Sequence, residues 1–229
     1  MTARIAVLAS GGGTNLQAIL DYLDARGSKR GGDVVLVASD RPDAGALERA
    51  RRAGLPAAVL RGAAQPGGCV PMSLLREHRV DFIALAGFLR LVPKDVVAEF
   101  PSRIVNVHPA LLPAFGGPGM YGERVHRAVL ASGAAVSGAT VHYVDEEYDQ
   151  GTILAQWPVP VLADDSVQSL AARVLKVEHV LYPRVIDAVA SGRWRFDTRP
   201  RAVPDAASFA LMHWDERRLV EEIENAFGL

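Results

Sequence analysis

Arg4-Ile5-Ala6-Val7-Leu8-Ala9-Ser10-Gly11-Gly12-Gly13-Thr14-Asn15 is the stretch that decides the fold. The apolar run through Ala9 reads as a strand buried on both faces. It breaks into three glycines, and a helical pattern runs on from Asn15 to Tyr22. A strand, a glycine loop and a helix open a βαβ unit. The exposed amides and dipole of the helix amino terminus favour an anion there, and glycine lets the backbone approach it closely. No Gly-Lys-Ser/Thr follows, so the loop is not a P-loop. Gly11 and Gly13 have the spacing of a dinucleotide fingerprint, and Asp40 could be read as its ribose-binding acid, but Leu16 stands where the third glycine belongs. A single phosphate suits this loop best, and a tight turn without a ligand is the structural alternative.

The same rhythm continues outward. Val34 to Ala38, Ala57 to Leu60, Phe82 to Ala86 and Ile104 to His108 read as further strands. Ala44 to Ala53 reads as a helix, terminated by Gly54 with Pro56 beyond. Short apolar runs alternating with helical patterns imply a Rossmann-like α/β fold: a mostly parallel twisted sheet with helices on both faces. The second half differs. Ala139 to Val144 and Ile153 to Val161 read as an antiparallel pair joined by an acidic turn. Asp165 or Ser166 caps a long helix through Leu170, Val174, Val177 and Leu181, which Pro183 should end or kink. Arg193 to Phe196 reads as a last strand and Thr198 to Pro204 as a linker. Residues 1–197 are read as the catalytic domain and 198–229 as a carboxyl-terminal extension. That extension carries an amphipathic helix, Asp215 to Phe227, whose stripe of Leu219, Ile223 and Phe227 packs on the core or meets another subunit of a homodimer.

Of the 229 residues, 49% are apolar and 22% charged, and the net charge is −1. This is an ordinary globular composition with no dominant surface for nucleic acid or anionic membrane. No uncharged run reaches a membrane-spanning length, and the apolar run after Arg4 is too short for a signal peptide. The single cysteine, Cys69, excludes an intramolecular disulfide and fits a reducing, cytoplasmic setting.

The chemistry concentrates in Ile104-Val105-Asn106-Val107-His108-Pro109. Side chains two apart on a strand share a face, so the Asn106 amide and the His108 imidazole project together. Pro109 puts them at the strand's carboxyl end, where open α/β sheets bind ligands. An amide donor beside an imidazole can stabilise an oxyanion and move a proton. His142 leads into Asp145-Glu146-Glu147-Tyr148-Asp149-Gln150-Gly151. A carboxylate brought from that turn to an imidazole raises its pKa and favours the charged form. His126 and His179 lie in helical patterns as structural or pocket-lining residues, and His78 and His213 have no supporting context. No histidine pair has metal-ligand spacing, so no metal is expected.

Together these segments resemble the folate-dependent phosphoribosylglycinamide formyltransferases of purine biosynthesis. The matching pieces are residues 10–18, 86–91, 106–113, 138–144, 148–151 and 173–183, in family order across Arg4 to Arg195. The resemblance implies transfer of a formyl group from 10-formyltetrahydrofolate to the amine of glycinamide ribonucleotide. It implies Asn106, His108 and Asp149 as the catalytic trio, and Gly13, Thr14 and Asn15 as the phosphate cradle. Glu178 matches a ribose contact and His142 a supporting histidine. Leu89, Arg90, Leu91 and Val92, with Asp145, Glu146, Glu147 and Tyr148, match the folate-pocket walls. Thr14 and Ala110 stand where serines are usual, and Arg61 to Met72 lacks the usual folate-side arginine. Phe115 to Glu123 is a glycine-rich insertion, read as a mobile loop near the site. Alternatives are a formyltetrahydrofolate hydrolase, a nicotinamide-dependent oxidoreductase and a non-enzymatic phospholigand sensor; a methionyl-tRNA formyltransferase would want a carboxyl-terminal nucleic-acid domain that the short tail is not expected to supply.

Overall fold

The computed structural model describes residues 2–60, 70–193 and 218–227. Cys69, the expected strand at Arg193 to Phe196, the linker and most of the segment 61–72 therefore lie wholly or largely outside the described residues.

Seven strands form one sheet in the order β3-β2-β1-β4-β5-β6-β7. They are β1 (Ala3–Leu8), β2 (Gly32–Ser39), β3 (Ala57–Val59), β4 (Phe82–Leu85), β5 (Ile104–His108), β6 (Val136–Tyr143) and β7 (Ile153–Pro160). The first five pair in parallel. β6 and β7 add antiparallel, as the change of pattern in the second half implies. The chain winds outward from β1 to β3, then returns to β4 on the other side of β1. That reversal opens a crevice at the carboxyl ends of β1 and β4.

β1 explains the two layers. Ile5 and Val7 join one buried cluster and Ala6 and Leu8 the other, the alternation a doubly covered strand demands. The first cluster takes in α1 (Thr14–Arg26), α5 (Glu123–Ser132), α6 (Val167–Ala190) and α7 (Leu219–Phe227). The second takes in α3 (Met72–Glu77) and α4 (Lys94–Glu99). α2 (Gly45–Arg52) packs on β2. The sequence reading does not include α3 and α4, because six residues are too few to display a 3.6-residue period.

Ser166 caps α6 in a reciprocal pair with Ser169, and the helix does not end at Pro183 but continues to Ala190. The proline removes one backbone hydrogen bond, a cost of about 3 kcal/mol. Leu181, Tyr182, Val185 and Ile186 are all fully buried around it, and burying each contributes about 1.5–3 kcal/mol. Packing therefore overrides the local break. The Tyr182 hydroxyl lies 2.9 Å from the Leu85 carbonyl and 3.1 Å from that of Val105, tying α6 to β4 and β5.

Leu219 and Ile223 of α7 are buried in the first cluster, and Arg184 on α6 pairs with Glu224 at 2.7 Å. Among the described residues no helix is long and apolar enough to cross a membrane. Replacing Ile223 by Ala should cost about 2–5 kcal/mol, the range for an aliphatic core side chain. Urea unfolding of the full chain checks this, and an unchanged midpoint would detach α7 from the core.

Candidate active site

β5 presents Asn106 and His108 on one face, and the antiparallel register of β6 sets His142 opposite Asn106 and Thr140 opposite His108. Asn106 Nδ2 lies 3.1 Å from His142 Nε2, while His142 Nδ1 lies 2.7 Å from the Tyr143 carbonyl. A carbonyl only accepts, so Nδ1 carries the hydrogen and Nε2 accepts from the amide. Asn106 keeps a second amide hydrogen for another partner. The hydroxyl of Thr140 donates to the Ala110 carbonyl at 2.6 Å and accepts from the Leu112 amide at 3.0 Å. Gln156 joins it from β7. This buried knot holds the turn that follows His108.

Asp149 comes from the β6–β7 connection, with a left-handed φ of 57°. Two residues on, Gly151 lies so close to β6 that a Cβ would sit 1.8 Å from the Tyr143 carbonyl. Only glycine permits this return, which delivers the carboxylate to both histidines. Asp149 Oδ2 is 3.6 Å from His108 Nδ1, and Oδ1 is 3.5 Å from His142 Nε2. The Gly117 amide donates to Oδ2 at 2.9 Å. The second nitrogen of His108 faces the Phe115 carbonyl at 2.9 Å. Both edges of that ring therefore meet acceptors.

The balance at His108 differs from the sequence expectation. Burial pushes its pKa below the ordinary 6.5, and the opposing pull of Asp149 and the Phe115 carbonyl does not restore it. The ring is only 3% exposed, and desolvation penalises the charged form more than a carboxylate at 3.6 Å favours it. Burial likewise raises the Asp149 carboxyl, but His142, His108 and the Gly117 amide together hold it below the usual range.

At the other end, Gly13 precedes α1 with φ 74°, and a Cβ there would lie 2.7 Å from Ala46 Cα. The loop is steadied by Arg49, which donates to the Gly12 carbonyl at 2.8 Å, a contact without a local sequence signal. The side chain of Asn15 is turned away from the loop, donating to Glu178 at 2.6 Å. Its backbone amide remains for the cradle, while the side chain serves the Glu178 end of the cavity. Burial pushes Glu178 up to about 7 against the lowering effect of Asn15. Asp40 pairs with Arg90 at 3.2 Å.

One cavity of about 630 Å³ joins these ends, a size that suits a small-molecule site. Asn15 and Glu178 stand on its wall, as do Asn106, His108, His142 and Asp149. So do Leu89, Arg90, Leu91 and Val92, with Glu147 and Tyr148. Gly13, Thr14, Asp145 and Glu146 are not on the wall. Asp145 accepts from the Glu147 amide in its own turn, and Glu146 pairs with Lys94. The insertion contributes Gly117 to Glu123, and His126 follows on α5. Thr140, Gln156 and Tyr182 are the supporting residues the sequence reading passes over. For Thr140 the signal is present: it stands two residues before His142, on the same strand face. Among the described residues no group of three or more acidic, histidine or cysteine side chains is placed to hold a metal ion.

Residues 3–186 match the family model described as formyl transferase. This chain belongs to the formyl transferase family. It is 48% identical over 204 residues to a chloroplastic phosphoribosylglycinamide formyltransferase of Arabidopsis thaliana, covering 86% of this chain and 69% of that one. The corresponding protein of Vigna unguiculata is 46% identical over 206 residues, covering 86% and 64%. The solved glycinamide ribonucleotide transformylase 1 of Symbiobacterium toebii superposes with a TM-score of 0.75 at 43% identity, over 86% of this chain and 92% of that one. The formyltransferase fold, with its antiparallel end to a mostly parallel sheet, is the α/β class that the alternating pattern implies.

Two titrations test this formyltransferase site. By imidazole NMR, His108 should titrate below 6.5, and Asp149→Asn should move it lower still, because the carboxylate that favours the imidazolium is removed. No movement would separate the pair electrostatically. Glu178 has its folded pKa raised above 4.5. The stability it contributes is complete below that value and is lost as pH rises through about 7. Glu178→Gln should therefore gain up to about 3 kcal/mol over the wild type between pH 5 and pH 8, read from urea midpoints. A gap independent of pH would mean an ordinary carboxylate.

Proposed function

We infer that this chain transfers a formyl group from 10-formyltetrahydrofolate to the amine of glycinamide ribonucleotide, a step of de novo purine biosynthesis. The observation that carries this reading is the joint placement of Asn106, His108 and Asp149 in one cavity with Glu178 at its far end. The cavity is lined by two different sets of segments, and on this reading two substrates meet in it. On this reading the amides opening α1, from Gly13, Thr14 and Asn15, hold the phosphate with the help of the helix dipole. Glu178 accepts from the ribose hydroxyls. Leu89 to Val92, Glu147 and Tyr148 bound the folate, whose pterin pairs with backbone groups of these segments.

The substrate amine attacks the formyl carbon, and the carbonyl becomes a tetrahedral oxyanion. Asn106 directs its remaining amide hydrogen at that oxygen. His108 shares the strand face of Asn106, and with both nitrogens turned to protein acceptors it acts on the oxygen through its charge. A nearby negative charge favours the imidazolium, so the ring takes up its charge as the oxyanion develops rather than before. The amine proton is the one that charges the ring: it passes through water, with the help of Asp149, to His108, and Asp149 stabilises the imidazolium so formed. The bond from the formyl carbon to N10 then breaks, N10 takes that proton back from His108, and tetrahydrofolate leaves with the formamide product formed. The single cysteine supports a reducing, cytoplasmic setting, while the plant relatives are named as chloroplastic proteins.

The test is an absorbance assay of the purified chain with a 10-formylfolate donor, with and without glycinamide ribonucleotide. Turnover that requires the ribonucleotide supports the reading; turnover without it would indicate hydrolysis instead. Asn106→Ala should lower kcat by about 10²–10³, the cost of one oxyanion donor. A change confined to KM would remove Asn106 from the transition state.

A further inference from the structure

His126 has a chemistry that the trio does not use. The residue is only 5% exposed, and its ring is part of the cavity wall. Nδ1 is sealed from solvent and has no hydrogen-bond partner among the described residues. A sealed nitrogen without a partner tolerates a bare lone pair better than an unmade N–H, since orphaned buried donors are the rarer defect. The hydrogen therefore belongs on Nε2, the nitrogen left to meet the cavity. Burial and, to a lesser extent, the nearby His108 push the ring's pKa down against the upward pull of the Glu123 carboxylate, and the net bias is toward the neutral form. His126 is a donor without an acceptor among the described residues.

Its position selects what it can meet. α5 packs on α6, on the same sheet face as α1, so His126 shares that face with Asn15 and Glu178. It is also close enough to His108 for the two rings to influence each other's charge. His126 thus lines the cavity that holds both Glu178 and His108, on the sheet face of the residue assigned to the ribose and within electrostatic reach of the residue assigned to the reaction. The folate walls come from other segments, the β4–α4 and β6–β7 connections. In a glycinamide ribonucleotide, the group between ribose and reacting amine is an amide, and its carbonyl needs a donor.

We propose that His126 is a positioning and specificity-determining residue that donates Nε2–H to the amide carbonyl of the ribonucleotide, aligning the glycyl amine with His108. The proposal rests on the ribonucleotide reading above. It requires an amide-linked acceptor and predicts discrimination against ribose phosphates that lack the carbonyl.

The experiment compares His126→Leu, which removes the donor, with His126→Gln, which keeps an N–H of similar reach. Full kinetics are measured for both substrates, with thermal melts of every protein. His126→Leu should raise KM for the ribonucleotide about tenfold or more and leave KM for the folate donor within about twofold. His126→Gln should recover most of the loss. An unchanged ribonucleotide KM in His126→Leu, or an equal rise in both KM values, overturns the proposal while leaving the transferase reading in place. If His126→Leu fails to melt cooperatively, His126→Gln decides: a ribonucleotide KM as poor as that of a donor-free site overturns the proposal, and near wild-type binding supports it. A wild-type protein inactive toward the ribonucleotide removes the transferase reading, and the proposal falls with it.

Discussion

The site depends on one pairing, the antiparallel register between β5 and β6. It sets Asn106 across from His142 and His108 across from Thr140. A slip of one residue would send each side chain to the opposite face. Asn106 would then lose the nitrogen that orients its amide, and Thr140 would no longer anchor the turn at Leu112. The register is secured by what lies behind it. Val105 and Val107 on β5, and Ala139 and Val141 on β6, are committed to the first core cluster, so the polar residues between them must face the other way. Apolar burial on one face specifies polar chemistry on the other.

Burial then works against charge at both ends of the cavity. His108 is held toward its neutral form despite an acidic neighbour, and Glu178 is held toward its protonated form despite an amide donor. Each group is placed where its charged state is costly until a partner arrives. On the proposed reading, the partner of His108 is the negative charge that arrives during reaction, and the partner of Glu178 is the ligand's hydroxyls. The same low-polarity setting that lowers the resting charge strengthens the interaction once it forms.

The parts legible in the sequence are those with a local cause. The run ending at Ala9 and the glycines after it announce a strand and a tight turn into a helix, because apolar length and glycine freedom are properties of adjacent residues. Asn106 and His108 can be placed together because strand geometry alternates every residue. The change to antiparallel strands after Ser132 is legible for the same reason. What was not legible depends on distant segments. Pro183 sits inside α6 because a buried surround outweighs its missing N–H, and the neutral bias of His108 follows from how much protein covers it. The side chain of Asn15 cannot be assigned to Glu178, 163 positions away, from the loop alone.

The sequence by itself determined the α/β class, the order of strands and loops, and the amide–imidazole pair at a strand end, since each follows from periodicities of two or 3.6 residues and from backbone restrictions of glycine and proline. Only the tertiary structure decided that Asp149 reaches two histidines at once, that Arg49 braces the glycine loop, and that His126 lines the cavity with one ring nitrogen unpartnered among the described residues. These are contacts between segments brought together by packing, and their energies depend on burial, which no short stretch of chain carries on its own.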